Sequence, residues 1–398
     1  MKLFLFLFSL LLVVSLPLVG IFLAGKPLAD YLEFPPLTQY VRHADFSYAV
    51  FCLLALVVIA ATVPFIVRIF SFRKKAPLRS TAISGMHFPV WGWLSILSCI
   101  FFWSLAWTRF EWFSFLQPYT FSPLWISYIA VVNAATFARQ GRCMMTEHTG
   151  YFLSLFPASA VFWWYFEYLN RFVQNWHYIG AEIFSTTGYV VFATLCFSTV
   201  LPAVLCTCEF LETFPSLTAG LGNFFRLKLA GSKAAASIVL ILSCAGLAGI
   251  GIYPDYLFQF LWLSPLLIIS SVQIITGRNS IFSPVEKGDW SRIILLALSA
   301  LICGFFWEMW NYHSLPKWAY SVPFVNRFRV FEMPLIGYAG YLPFGIECAV
   351  IGGLLYDFLF DAEEIQSCKF VYSQPQMGRD IPARGNTPRV PTNNNIEP

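Results

Sequence analysis

The chain has 398 residues, of which 58% are hydrophobic and only 12% charged, with a mean hydropathy of +0.66. A soluble domain carries about a quarter charged residues, so too few polar groups are present to clothe this chain in water and lipid must be its solvent. The net charge of +4 is scattered in loops and forms no basic face, which excludes a nucleic-acid-binding protein.

Crossing about 30 Å of hydrocarbon takes near twenty apolar residues in a helix. The first such run begins after Lys2; no small-x-small cleavage site follows it, so a retained first span is expected, with a signal peptide as the alternative. About ten spans are expected in all, near 3–24, 46–70, 89–107, 123–139, 151–169, 184–206, 235–252, 257–276, 291–310 and 335–357. Basic residues collect after every second span: Arg68, Arg73, Lys74, Lys75 and Arg79; Arg139 and Arg142; Arg226, Lys228 and Lys233; Arg278 and Lys287. The positive-inside rule puts these loops and both termini in the cytoplasm, and the expected host is the bacterial inner membrane. Lys317, Arg327 and Arg329 fall outside on this topology and are outvoted. The tail 361–398, rich in Pro, Gly, Asn and Gln, is expected to be disordered and cytoplasmic.

The second half of the chain copies the first. Glu167-x-x-Asn170 recurs 141 residues later as Glu308-x-x-Asn311, and Trp176-x-Tyr178 recurs 142 later as Trp318-x-Tyr320. Leu201-Pro202 recurs as Leu342-Pro343 at 141, Ser122-Pro123-Leu124 as Ser264-Pro265-Leu266 at 142, and Ile96–Cys99 as Ile241–Cys244 at 145. Coincidences in one order at nearly one offset mean a duplication. The expected fold is therefore an all-α, polytopic membrane bundle: two leading spans (1–84), a four-span repeat (85–212), a cytoplasmic linker (213–231) and a second four-span repeat (232–360). An even number of spans per copy leaves both copies in one orientation, paired about an axis along the membrane normal, with polar sites near their interface.

Carboxylates in apolar spans are costly and face the protein interior. Glu167 and Glu308 lie at the C-terminal ends of their helices, where the helix dipole and the loss of water both disfavour a negative charge. Asn170 and Asn311 share a helix face with them and can orient the carboxyls. Trp163, Trp164, Trp307 and Trp310 surround them, and a proton donor among aromatic faces suits protonation of a carbon–carbon double bond, the cation being held by the rings. The opposing reading makes the same residues helix ties and an interfacial belt. Glu347 lies about twelve residues, roughly 18 Å, into the last span, after Pro343, which is expected to open that helix. Its counterpart is Cys206, so the site is asymmetric. Glu332 and Glu182 precede Gly337-Tyr338 and Gly188-Tyr189 at helix N-termini, where an ionised base is favoured. The histidines lack paired spacing and Cys206-x-Cys208 lacks companions, so no metal is implied; no nucleotide loop is present either, and no cofactor is expected.

The run Trp307-Glu308, Asn311-Tyr312, Trp318-x-Tyr320, Gly337-Tyr338, Leu342-Pro343, Glu347 resembles the integral-membrane lycopene cyclase domain and the related carotenoid hydratases. That family has Trp-Asp, Asn-Tyr, Trp-x-Tyr, Gly-Tyr and Pro-x-Glu-Glu on duplicated helical modules. Here Glu stands for Asp, one Glu of the pair is missing, and each repeat holds about four spans where that family has about three. The resemblance implies acid-initiated cyclisation or hydration of a long apolar isoprenoid without redox change. It makes Glu308 and Glu347 the protonating and charge-stabilising carboxyls, Glu332 a base, Asn311 an orienting group, and Trp307, Trp310, Trp318, Tyr320 and Tyr338 substrate contacts. Glu167, Asn170, Trp176 and Tyr178 are the corresponding contacts in the first copy. The expected partners are an apolar lipid or isoprenoid substrate and membrane lipids. A transporter or lipid-binding protein built on parallel repeats is the alternative.

The topology has a direct test. Reporter fusions after Lys75 and after Trp318 should report opposite sides of the membrane; the same side for both would refute it.

Overall fold

The computed structural model describes residues 2–36, 38–73 and 87–360. The expected tail, and Lys74, Lys75 and Arg79, lie outside the described residues. Eleven longer helices are found among those residues. They are α1 (Lys2–Leu23), α2 (Tyr48–Arg73), α3 (Val90–Trp107), α4 (Phe121–Gln140), α5 (Thr149–Val173), α6 (Thr186–Phe197), α7 (Val200–Glu212), α8 (Lys233–Gly249), α9 (Phe260–Ile275), α10 (Ser291–Tyr312) and α11 (Tyr341–Leu359).

Seven segments among the described residues are long and apolar enough to cross a membrane: α1, α2, α3, α4 with its preceding turn, α6–α7 together, α10, and α11 with its preceding turn. Helices α8 and α9 are apolar but shorter, at 17 and 16 residues. The chain is a mostly helical membrane bundle, and its outer faces agree with that solvent: Phe4, Phe22, Leu53, Val67, Leu97 and Ile241 stand exposed where a soluble protein would place charge.

The expected sixth span is broken. Helix α6 stops at Phe197 and α7 starts at Val200. Ser159 takes up the polar groups at the break, its hydroxyl donating to the Phe197 carbonyl at 2.6 Å and accepting from the Leu201 N–H at 3.0 Å. Pro202 sits in the first turn of α7, and Pro343 sits likewise in the first turn of α11, following a 3-10 segment from Leu335 to Gly340. The N–H of a first-turn residue has no intrahelical acceptor, so proline is tolerated there. Pro343 therefore starts a helix and does not open one, contrary to the expectation from its place within an apolar run.

Helix α11 is the central element, packed on α10, α9, α7 and α5. Gly345 lets it approach α10: a Cβ at that position would lie 2.0 Å from the Leu296 carbonyl oxygen and 2.8 Å from the Ala300 Cβ. Small residues are what allow membrane helices to meet this closely. Helix α2 is the opposite case. It has no buried residue and touches the rest of the bundle mainly at its two ends. At one end Arg68 donates to the Gly220 and Asn223 carbonyls at 3.0 and 2.8 Å; at the other the Ser47 N–H donates to the Phe324 carbonyl at 2.9 Å.

Two short strands complete the frame. β1 (Trp176–Ile179) follows α5 and β2 (Lys317–Tyr320) follows α10, and they pair antiparallel as Trp176↔Tyr320, His177↔Ala319, Tyr178↔Trp318 and Ile179↔Lys317. A second pair, β3 (Arg329–Val330) and β4 (Met333–Pro334), forms the hairpin that carries Glu332.

Close approach at Gly345 predicts that Gly345→Leu, which must push α11 off α10, costs about 3 kcal/mol. Thermal melting of the purified full-length protein should show a large loss; a variant that melts like the wild type would mean the two helices are not in contact there.

Candidate functional site

Glu167 and Glu308 are fully buried, each near the C-terminal end of its helix, and each is gripped in the same way. Glu167 Oε1 accepts from Tyr178 Oη at 2.6 Å, Trp163 Nε1 at 3.0 Å and Trp176 Nε1 at 3.1 Å. Glu308 Oε1 accepts from Tyr320 Oη at 2.7 Å, Tyr341 Oη at 2.8 Å and Trp318 Nε1 at 3.4 Å. Alternate residues of a strand share one face, so each Trp-x-Tyr places an indole and a phenol side by side over the carboxyl. The Trp-x-Tyr spacing is what brings both donors to one oxygen.

The asparagines hold the strands rather than the carboxyls. Asn170 Nδ2 donates to the Trp176 carbonyl at 2.8 Å and its Oδ1 accepts the Trp176 N–H at 3.4 Å. Asn311 does the same for Trp318, at 2.7 and 2.9 Å. Each asparagine side chain thus stands in for a strand partner at the turn out of its helix.

The two grips meet on one cavity of about 540 Å³, within the usual range for a small-molecule site. Trp163, Trp176 and Tyr178 line it from the first half, and Trp307, Trp318, Tyr320 and Tyr341 from the second. Leu54, Val57, Val58 and Ala61 of α2 make a further wall; spaced i, i+3, i+4 and i+7, they form one helix face. Among the described lining residues the one charged side chain is Lys317. It donates to Glu332 at 2.5 Å, and Arg329 lies 3.9 Å from the same carboxylate. Outside the helices, burial raises the phenols of Tyr178 and Tyr320 well above their ordinary range, which keeps them neutral donors. Burial also lowers His177, on the other face of β1.

The remaining expected site residues stand elsewhere. Trp310 packs with Trp125 and Phe306 away from the cavity wall, and Tyr338 donates to the Val330 carbonyl at 3.1 Å. Glu332 lies in the β3–β4 hairpin as the partner of Lys317 and Arg329, not at the N-terminus of α11. Glu347 is fully buried in α11, off the cavity wall, and neither of its oxygens has a hydrogen-bond partner among the described residues. Phe344, one turn earlier, stacks among Phe162, Phe166, Trp262 and Trp307. Tyr341 was not anticipated. It is adjacent to the repeated Leu342-Pro343, but Val200 stands at its place in the first half, so the repeat gave no signal for it. No group of three or more His, Cys, Asp or Glu among the described residues is placed to hold a metal ion.

No protein-family model, curated protein or solved structure matches the chain.

The asparagine clamps give a test of this architecture. Asn311→Ala leaves the Trp318 N–H and carbonyl without their partner, at a cost of about 1–3 kcal/mol. Proteolysis between Ser314 and Ser321 should become faster, and Asn311→Asp, which keeps the acceptor, should fall between. A loop as resistant as the wild type in Asn311→Ala would show that the clamp is not what orders it.

Proposed function

We propose that the chain is an integral-membrane enzyme acting on a long apolar isoprenoid of the carotenoid kind by proton-initiated cyclisation or hydration. The observation that carries this reading is the pair of buried glutamates whose tyrosine and tryptophan donors line a single apolar cavity. In this reading Glu308 is the acid. Its proton passes through the hydroxyl of Tyr320 or Tyr341 to a double bond in the cavity, as that hydroxyl gives up its own. The cation forms against the faces of Trp307, Trp318 and Trp176. Attack of a second double bond of the substrate on the cation closes the ring and moves the charge onto a ring carbon, whose neighbour then loses a proton to give a ring isomer. Capture of water by the cation, with loss of one of the water's protons, gives an alcohol; neither changes oxidation state. Glu332, at the rim, is taken up by its ion pairs with Lys317 and Arg329. Glu347, off the wall, is given no step.

The finer architecture belongs to the same proposal: ten spans, both termini cytoplasmic in a bacterial inner membrane, and two four-span repeats facing one another across the β1–β2 pair. The register supports it, because Trp176↔Tyr320 and Tyr178↔Trp318 exchange under a twofold axis. The likeness to the lycopene cyclase domain is then one of ancestry and chemistry. A second reading, a carrier for the same kind of molecule, is favoured by one feature: both halves give the cavity the same Trp-x-Tyr pair, as rocking repeats require.

Expression in cells that accumulate a linear carotenoid separates the two. The enzyme should yield a product of the same mass or one water heavier, and Glu308→Gln at equal protein level should cut it about 100-fold or more. An unchanged pigment profile, with substrate uptake into vesicles that depends on the protein, would replace the enzyme with the carrier.

A further inference from the structure

The two glutamate grips differ in one donor, and the difference is a paired exchange. Moving 141 residues on from Glu167 reaches Glu308, and the same step takes Trp163 to Gly304 and Val200 to Tyr341. In the first half Trp163 supplies the third donor and Val200 is small. In the second half Gly304 leaves the space and Tyr341 fills it: a Cβ on Gly304 would stand 2.4 Å from the Tyr341 ring. One position in space is thus filled from two different helices, and an indole N–H has been traded for a phenol O–H.

The trade has chemical meaning. An indole N–H can only donate, so a carboxyl that accepts from two of them must keep acceptor lone pairs turned toward both. Glu167 has two such donors, at 3.0 and 3.1 Å, beside a single phenol, Tyr178, at 2.6 Å. A phenol donates or accepts and can pass a proton through. Glu308 has two phenols, at 2.7 and 2.8 Å, and a single indole at the longer distance of 3.4 Å. Charge-assisted donors favour the anion at the first centre, while the second can hold its proton between oxygens.

We infer that the two like carboxyls hold opposite charge: Glu167 is the carboxylate and Glu308 the carboxylic acid. This deepens the proposed function, and rests on it only for what the division accomplishes. Glu308 then delivers its proton through Tyr320 or Tyr341 to the substrate double bond and becomes a carboxylate. Glu167, behind Trp176 and Tyr178, makes those rings more electron-rich against the cation. It then accepts through Tyr178 the proton lost from the neighbouring carbon and becomes an acid. One proton is added and one removed, and transfer of a proton from Glu167 back to Glu308 resets the site. Glu167 acts through the residues it grips and is a positioning residue for the cation and the base step.

Infrared difference spectra of the full-length protein in lipid read the charge states with no substrate present. Wild type minus Glu308→Gln should show one neutral-carboxyl C=O band, whereas wild type minus Glu167→Gln should show none there and should lose a carboxylate band. Should either glutamine variant not fold, changes at the donors serve. Tyr341→Phe should move the neutral band and leave the carboxylate bands in place, and Trp163→Phe should do the reverse. A neutral band lost with Glu167→Gln, or a neutral band indifferent to Tyr341→Phe, would overturn the assignment. The pigment assay is independent of it: bands as expected with no product would leave the charge division standing and remove the enzyme.

Discussion

A carboxyl group inside an apolar bundle has no water to bond to, and everything at this site follows from how that group is satisfied. The solution is local in sequence. A glutamate near the end of a helix is met by the strand that the same helix turns into, whose alternate indole and phenol fold back over it. The asparagine one turn after the glutamate fixes the strand so that both donors arrive together. Each half of the chain therefore builds two donors of its grip from about a dozen consecutive residues. The third comes from one turn earlier on the same helix in the first half, Trp163, and from another helix in the second, Tyr341.

Pairing of the two strands then sets the cavity. Because Trp176 and Tyr178 face Tyr320 and Trp318 across the ladder, the two grips cannot move apart without breaking backbone hydrogen bonds. The aromatic bodies that satisfy the carboxyls are for that reason also the walls of the cavity. Their polar edges are spent on the glutamates, which leaves hydrocarbon and π-faces for an occupant. Glu347 shows the contrast. It is as deeply buried as the other two, yet neither of its oxygens has a hydrogen-bond partner among the described residues.

Much of this was legible in the sequence because the determinants are local. Apolar run length placed the helices, and the repeated Glu-x-x-Asn and Trp-x-Tyr named the residues of both grips before any contact was known. What was not legible depends on packing between distant segments. Tyr341 reaches Glu308 across 33 residues, and Gly304, which makes its room, looks like any small residue in a span. Hydropathy cannot see the break between Phe197 and Val200, since Ser159 repairs it from another helix. Pro343 in an apolar run suggests a kink until the start of the helix is fixed, and Glu332 looks like a free base until Lys317 is found beside it.

Helix α2 shows why the two glutamate grips alone do not complete the cavity. Leu54, Val57, Val58 and Ala61 face the cavity, while the helix itself buries no residue and is held mainly near its ends, through Phe65 and Arg68 at one and Ser47, Tyr48 and Phe51 at the other. A helix so placed gains little from packing along its length; in lipid it loses little either, since hydrocarbon replaces hydrocarbon. The wall it forms is therefore the one whose displacement costs least, whereas the opposite walls are tied by the strand ladder and by buried hydrogen bonds. An apolar molecule dissolved in the bilayer meets that weak wall from the lipid side. Water, by contrast, meets the rim where Lys317, Glu332 and Arg329 hold one another. The cavity thus has a compliant apolar wall on one side and the Lys317, Glu332 and Arg329 cluster on another, and the function proposed above would use the first for entry of an apolar substrate and the second to limit the entry of water.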